Sequence, residues 1–342
     1  MGSGRTLRLL GTRLAAAVPS LLGVVIITFL LTRALPGDPA AFFAGPAATP
    51  EAVEEVRHRL GLDRSLPEQL GRYLKDLARG DLGMSITTGQ PVRVELVNRL
   101  PASIELTLAG LILAALIGLP LGVLAATRPG SLFDHAARMA STAGVSLPTF
   151  FTGLVLIYIF YFKLGWAPPP MGRLDSFTEA PRQITGFLLI DSLAAGQLAV
   201  FWAACKQLAL PAITLALFAM APLARMSRAA MLAVLSSDYI RTARASGLSR
   251  YQVLVVYGFR NALLPVLTTI GMVFSFLLGA NVLVEKVFAW PGLGSFALEA
   301  LISSDYAPVQ GFVLIMGTVY VLLNLVIDVL YGLVDPRAAV AS

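Results

Sequence analysis

Charge is what this sequence has least of. Charged residues make up 13% of the 342, where an ordinary soluble domain carries roughly 25%. Apolar residues reach 56%, above the usual range of about 45–50%. That imbalance points to a bilayer. Cysteine is nearly absent, and Cys205 alone excludes an internal disulfide framework or a thiolate metal site within the chain. The two histidines, His58 and His135, fall in opposite compartments in the topology derived below, so they can build neither a shared metal site nor a Ser/His dyad. No G-x-x-x-x-G-K-[ST] occurs, so the chain has no phosphate loop with which to cradle nucleotide.

What the sequence does have is charge-free stretches at 14–32, 106–127, 139–162, 207–224, 261–284 and 306–327. About 20 apolar residues cross the hydrocarbon core as a helix, so these predict six spans. A seventh segment, 183–205, is apolar apart from Asp191. To span, it would have to reverse into 207–224 without turn residues, and it is read as an interfacial or re-entrant helix. Arg5, Arg8 and Arg13 precede the first run, which has no small-x-small cleavage site at its far end. The expectation is an uncleaved signal anchor with its N-terminus inside.

Six spans put both chain ends inside. The inside segments then hold twelve basic and three acidic residues, and the outside segments fourteen basic and sixteen acidic. This agrees with the positive-inside rule, and it assigns the basic character to membrane orientation and not to nucleic-acid binding. The expected cytoplasmic parts are the N-terminus, 128–135, 236–260 and the C-terminus. The segments 34–100, 164–206 and 289–305 are expected outside.

The chain is accordingly divided into a cytoplasmic N-terminus with the first span at 1–33, an external helical region at 34–100, and a five-span core at 101–342. The external region is too long for a simple connection. Thr49-Pro-Glu-Ala-Val-Glu-Glu predicts a capped helix start, with a helix over 50–60 stopped by Gly61 and a second over 67–78 stopped at Gly80. Within the spans, Pro120, Pro148, Pro211, Pro222 and Pro265 predict interruptions or kinks. Asn324 and Asp328 share a face of the last span, where an acid needs a partner or water.

Residues 236–260 read SSDYIRTARASGLSRYQVLVVYGFR. Ser236 or Ser237 is an N-cap candidate, Asp238 complements the helix dipole, and the helix should run from 239 to 246 before a left-handed stop at Gly247. Ala243 and Gly247 lie at i and i+4 beside Thr242, Ala245 and Ser246, which leaves one side nearly without side chains. Arg241, Arg244 and Arg250 add charge. From the residues alone, both a solvated connector and a helix held by another protein stay open.

The spacing Ala243-x-x-x-Gly247 with Leu264-Pro265 resembles the EAA loop of bacterial ABC importer permeases. Asp238-Tyr-Ile-Arg-Thr-Ala-Arg-Ala-Ser-Gly-Leu248 with Arg260-Asn-Ala-Leu-Leu-Pro265 is similar to the dipeptide, oligopeptide and nickel branch. Arg241 occupies the place of the consensus Glu, and the interval from Gly to Leu-Pro is longer. Further similarities are Leu35-Pro-Gly-Asp-Pro39, Leu60-Gly-Leu-Asp63, Gly80-Asp-Leu-Gly83, Arg225-Met-Ser-Arg228, Trp290-Pro-Gly-Leu-Gly294, Asp305-Tyr306 and Asp335-Pro-Arg337.

The resemblance implies an all-α membrane protein with the six-helix type I importer architecture and a small external helical insertion. It implies a homologous second permease, two ATPase subunits that carry ATP and Mg, an external substrate-binding protein, and location in the bacterial inner membrane. No cofactor and no catalytic or metal residue is expected in this chain. Asp238, Tyr239, Arg241, Thr242, Ala243, Arg244, Gly247 and Leu248 become the candidate ATPase-coupling residues. Phe150, Phe151, Phe274, Ser275 and Asn281 are candidates for the translocation path, with packing as the alternative.

Trp290, Pro291, Gly292 and Gly294 are candidates for an outer gate or binding-protein dock, with an interfacial aromatic anchor as the alternative. Ser295 is expected to cap a short helix through about Leu301. Thr185-Gly-Phe-Leu-Leu-Ile-Asp191 resembles dipeptide-type more than nickel-type members, which favours short peptides over nickel, glutathione or another small solute. A self-sufficient secondary transporter should show paired acids or a histidine deep in the spans and an internal repeat, and only Asp328 fits. An intramembrane hydrolase would lack its base.

Overall fold

The computed structural model describes residues 3–34, 38–45 and 47–334. The start of the Leu35-Pro-Gly-Asp-Pro39 motif, the side chains of Arg5, Arg8 and Arg13, and the Asp335-Pro-Arg337 motif lie outside the described residues. Among the described residues every regular element is helical, and an isolated antiparallel bridge joins Met84 to Pro91.

Helix α1 runs Ser3–Ala34, α2 Pro39–Ala44, α3 Pro50–Leu60, α4 Leu66–Ala78, α5 Val92–Thr127, α6 Leu132–Ser146 and α7 Thr149–Leu156. They are followed by α8 Leu188–Ala194, α9 Leu198–Leu235, α10 Asp238–Ala245, α11 Arg260–Val287, α12 Leu293–Ile302 and α13 Tyr306–Val334. Among the described residues, four helical stretches are long and apolar enough to cross a membrane: Val92–Thr127, Leu198–Leu235, Gln252–Val287 and Tyr306–Tyr331. Val18–Ala34, a part of α1, is also apolar, and Thr149–Lys163 and Leu293–Ile302 are shorter apolar helices.

The interruption expected at Pro148 is present, and three other expectations need correction. The third span is not one helix, because α6 ends at Ser146, Leu147 turns extended (φ −100°, ψ 138°) and α7 restarts at Thr149. Pro148 forces this by pushing its preceding residue out of the helical region. A π-helical stretch, Ile157–Lys163, then continues α7. Conversely, α5 runs unbroken through Pro120, α9 through Pro211 and Pro222, and α11 through Pro265. Close helix neighbours can compensate the backbone groups that proline frees.

The segment 183–205 is not a single interfacial helix either. It divides into α8, a turn at Gly196 with φ +69°, and the start of α9. Finally, the connection at 236–260 is mostly helix, since a π-helical stretch, Gln252–Phe259, runs directly into α11.

The chain forms two compact units, Met1–Pro101 with Pro291–Leu322, and Ala102–Trp290 with Leu323–Ser342. In the first, Thr49 caps α3 by accepting from the Ala52 N–H at 3.4 Å, and Gly61 ends it in the left-handed conformation at φ +67°. Asp38 caps α2 and pairs with Arg57 of α3. Helix α4 rests on α1 through Phe29, which is fully buried and stacks on Tyr73 at 5.8 Å. Val92, Leu96, Leu293 and Phe296 form the apolar centre, and α13 approaches it at Gly311, where a Cβ would come within 2.7 Å of Leu96. Buried Asp305 accepts from Ser85 Oγ at 2.8 Å and the Thr87 N–H at 3.0 Å, which ties the turn before α5 to the start of α13.

In the second unit α9 packs against α6, α7, α8 and α11. Helix α5 reaches α9 through glycines: a Cβ on Gly110 would lie 2.7 Å from Leu215 Cβ, and one on Gly118 would lie 2.9 Å from Met220 O. One on Gly122 would lie 2.8 Å from Ser227 Cβ. Small residues replace the hydrophobic drive that lipid removes, because they let backbones approach to van der Waals contact.

Candidate functional site

Helix α10 stands between two of the membrane-length stretches. Its start differs in one detail from the expectation. Ser237 occupies the N-cap position with extended backbone, but its hydroxyl donates back to Val234 O at 2.6 Å and leaves the first-turn N–H groups uncapped by the side chain. Asp238 complements the dipole from the first turn and pairs with Arg241 at 3.3 Å.

The end is as expected. Gly247 has φ +76°, its N–H donates to Arg244 O at 3.1 Å, and the Leu248 N–H donates to Ala243 O at 3.3 Å. These two bonds are the Schellman arrangement, in which a left-handed residue lets the chain turn back and satisfy the last carbonyls.

Ile240 and Ala243 are buried and fasten α10 to the rest of the unit, where it packs on α9 and on the π-helical stretch before α11. Asp238, Tyr239, Arg241, Thr242, Arg244 and Gly247 are exposed, and Leu248 is half-buried. The small-residue side is therefore divided. Ala243 faces the chain's own packing, while a Cβ added at Gly247 would meet nothing within 4 Å. What remains is a solvent-facing ridge with a tight turn at its end.

Beside it, Arg228 of α9 grips Asp134 of α6 with two hydrogen bonds, at 2.6 and 2.7 Å, and Asp134 also accepts from the Gly130 N–H at 3.0 Å. The Arg228 hydrogen bonds, followed by that of Gly130, hold the Asp134 carboxyl far below the usual carboxylate range. The Arg225-Met-Ser-Arg228 motif thus includes a cross-link between α9 and α6. Only its second arginine gives this away, and only when the facing acid is known.

The translocation candidates differ in exposure within this chain. Phe150 and Phe151 are exposed on α7, whereas Phe274 and Asn281 are buried in α11. Ser275 is half-buried and donates to Gly271 O. Asn281 belongs to a network that sequence reasoning missed: its Nδ2 reaches Glu285, Thr107 Oγ1 and Ser103 O, while Ser103 donates to Glu285. The signal was available in principle, since Asn281 and Glu285 are one helical turn apart, but Glu285 lies just beyond the charge-free run.

Glu105, also missed, accepts from Arg173 at 2.7 Å and the Leu189 N–H at 2.9 Å. Asp191 accepts from the N–H groups of Ile184, Thr185 and Gly186 and from the Thr185 hydroxyl. Burial works against its charge, but those hydrogen bonds prevail and hold the carboxyl below its ordinary range.

Trp290 is buried, with its indole N–H donating to Ala102 O at 2.9 Å, so it is not an interfacial anchor. Pro291 is exposed, whereas Gly292 and Gly294 are buried. Gly292 takes the N-cap position of α12 and Ser295 donates back to its carbonyl, so Ser295 is not the cap.

Membrane-length helices joined by a glycine-mediated seam fit a multi-span membrane protein. The chain belongs to the family of binding-protein-dependent transport system inner membrane components, whose pattern it matches over residues 118–340. Residues 6–107 match the N-terminal family of the same transport systems. The di/tripeptide transport system permease protein DppB of Pseudomonas aeruginosa is 44% identical over 332 residues, covering 97% of this chain and 98% of that protein. The probable D,D-dipeptide transport system permease protein DdpB of Escherichia coli is 45% identical over 315 residues, 92% of each chain. The dipeptide transport system permease protein DppB of Escherichia coli is 41% identical over 329 residues, 95% of this chain and 96% of that one.

Proposed function

We propose that this chain is one permease subunit of an ATP-driven importer of short peptides. It would line half of the path with a homologous second permease, receive substrate from an external binding protein, and draw its energy from two ATPase subunits that hold ATP and Mg. The substrate class follows the relatives, each of which is named for dipeptide or tripeptide transport over nearly the whole length of the chain. That the sequence holds no phosphate loop supports placing hydrolysis in the partners.

The observation that carries the coupling role is α10 itself. Two buried anchors, Ile240 and Ala243, hold it to the body while the opposite side is free to meet a cytoplasmic partner. It is joined to α9 through Ser236 and Ser237 and packs on the stretch that becomes α11. A push on α10 would therefore move two membrane helices and not a slack loop. Closing of the ATPases would bring the two permeases' coupling helices together and switch the side to which the path opens. In this reading the N-terminus, 128–135, 236–260 and the C-terminus face the cytoplasm.

The test is reconstitution. The chain, its sister permease and both ATPases in proteoliposomes, supplied with binding protein, should take up a labelled dipeptide only when ATP and Mg are present. Uptake that is indifferent to ATP and driven by an ion gradient would favour a secondary transporter and overturn the proposal.

A further inference from the structure

A groove of about 1070 Å³ lies between the ends of α5 and α9 and the turn that follows α10. Arg128, Arg244 and Arg250 line it, together with apolar walls that include Leu124, Phe133 and Leu254. All three arginines are exposed, and none has a carboxylate partner among the described residues. The neighbouring acids are engaged elsewhere, Asp134 by Arg228 and Asp238 by Arg241. Three helix C-termini end nearby, at Thr127, Leu235 and Ala245, and each contributes at most about half a negative charge. Three full positive charges exceed that opposing contribution.

The apolar part of the groove is also open. Leu124 is 54% and Phe133 46% exposed, which no water-filled anion site requires. Arg128 directly follows the charge-free run 106–127, so the groove sits where hydrocarbon gives way to water. Tyr251 and Tyr257, both exposed in the stretch leading to α11, have the amphipathic character of residues at that level.

We infer that this groove holds an anionic phospholipid, with its phosphate among the three arginines and the upper part of an acyl chain along Leu124, Phe133 and Leu254. Basic pockets between membrane helices on the cytoplasmic side are a recurrent home for such headgroups. A soluble anion would use the arginines and leave the apolar walls wet, whereas a lipid satisfies both. Because Arg244 belongs to α10 and Arg128 follows α5, a lipid seated here would brace the candidate coupling helix against the membrane body. The inference extends the coupling reading, but its test does not depend on that reading.

The test uses the assembled complex in nanodiscs containing both phosphatidylcholine and phosphatidylglycerol, so that either leaflet presents both lipids. Native mass spectrometry should find phosphatidylglycerol retained over phosphatidylcholine. Arg128→Gln combined with Arg250→Gln should cut that preference roughly tenfold or more, while Arg59→Gln, on exposed α3, should leave it unchanged. A photo-crosslinking residue in place of Phe133 should acquire the mass of a phospholipid. An unchanged lipid preference in the double variant would overturn the inference, and so would an adduct at position 133 with an ATPase subunit in place of lipid. Peptide uptake could fail altogether while these outcomes still decide the question.

Discussion

Replacing Gly247 separates what α10 does for its own fold from what it does for a partner. The residue has φ +76°, where an L side chain costs about 1 kcal/mol and Asn or Asp somewhat less. No atom lies within 4 Å of the Cβ position, so the substitution adds no clash inside the chain. Gly122 makes the contrast, because a Cβ there would meet Ser227 Cβ at 2.8 Å and Arg228 N at 2.9 Å, and helix packing would have to give way.

Gly247→Asp and Gly247→Asn should therefore insert and pair with the sister permease as the native chain does. If α10 sits against an ATPase, the carboxylate at the turn should reduce ATPase recovery and transport at least tenfold, and Asn should do less harm. The assay is ATPase co-purification alongside peptide uptake by reconstituted complexes. Full uptake with normal ATPase recovery from Gly247→Asp would refute the reasoning and reduce α10 to a solvated connector. A bulky residue at Ala243, which is buried, should instead disturb the chain's own packing and lower its thermal stability.

Three further outcomes are expected. In a Cys205-free background, a single cysteine at Ser246 should react with an impermeant thiol reagent only from the cytoplasmic side, and one at Thr88 or Thr178 only from outside; outside labelling at Ser246 would end the proposed orientation. The purified single chain should bind no nucleotide, and saturable ATP binding in a filter or fluorescence assay would contradict that. For Asp134, the folded carboxyl titrates below its unfolded value of about 3.9, so its contribution is complete above that value and is lost only as pH falls through the lower folded one. Asp134→Asn should consequently lower the thermal midpoint by the same amount from about pH 5 to pH 8, with the gap to the native chain closing only in stronger acid; a gap that varies across the neutral range would show that the Arg228 pair is not its source.

Much of this fold could be read before any coordinates. The charge-free runs located the long helices, because a bilayer demands length and apolarity and little else. The turn chemistry at Thr49, Gly61 and Gly247 is local, so the residues specify it without tertiary help. Prolines were harder, since the same residue breaks the third span at Pro148 and is accommodated in α9 at Pro211 and Pro222. The difference lies in the neighbouring helices, which the sequence does not order.

The polar staples were least legible. Glu105 with Arg173, Asp134 with Arg228, and Glu285 with Ser103 join positions far apart in the chain. A single sequence carries no sign of such pairing. Ala243 shows the same limit from the other side. Its spacing from Gly247 placed both on one helical stripe, but the turn at Gly247 sends the chain away and leaves Ala243 buried alone.

The central claim is that α10 meets an ATPase subunit, and one crosslink tests it directly. A photo-reactive residue at Ser246, exposed beside the turn at Gly247, would be activated in the fully assembled complex and the adduct identified by mass spectrometry. The account predicts an adduct between this chain and an ATPase subunit, formed in good yield and weakened by Gly247→Asp. An adduct with the external binding protein, or none with the ATPases in a complex that still transports peptide, would contradict it.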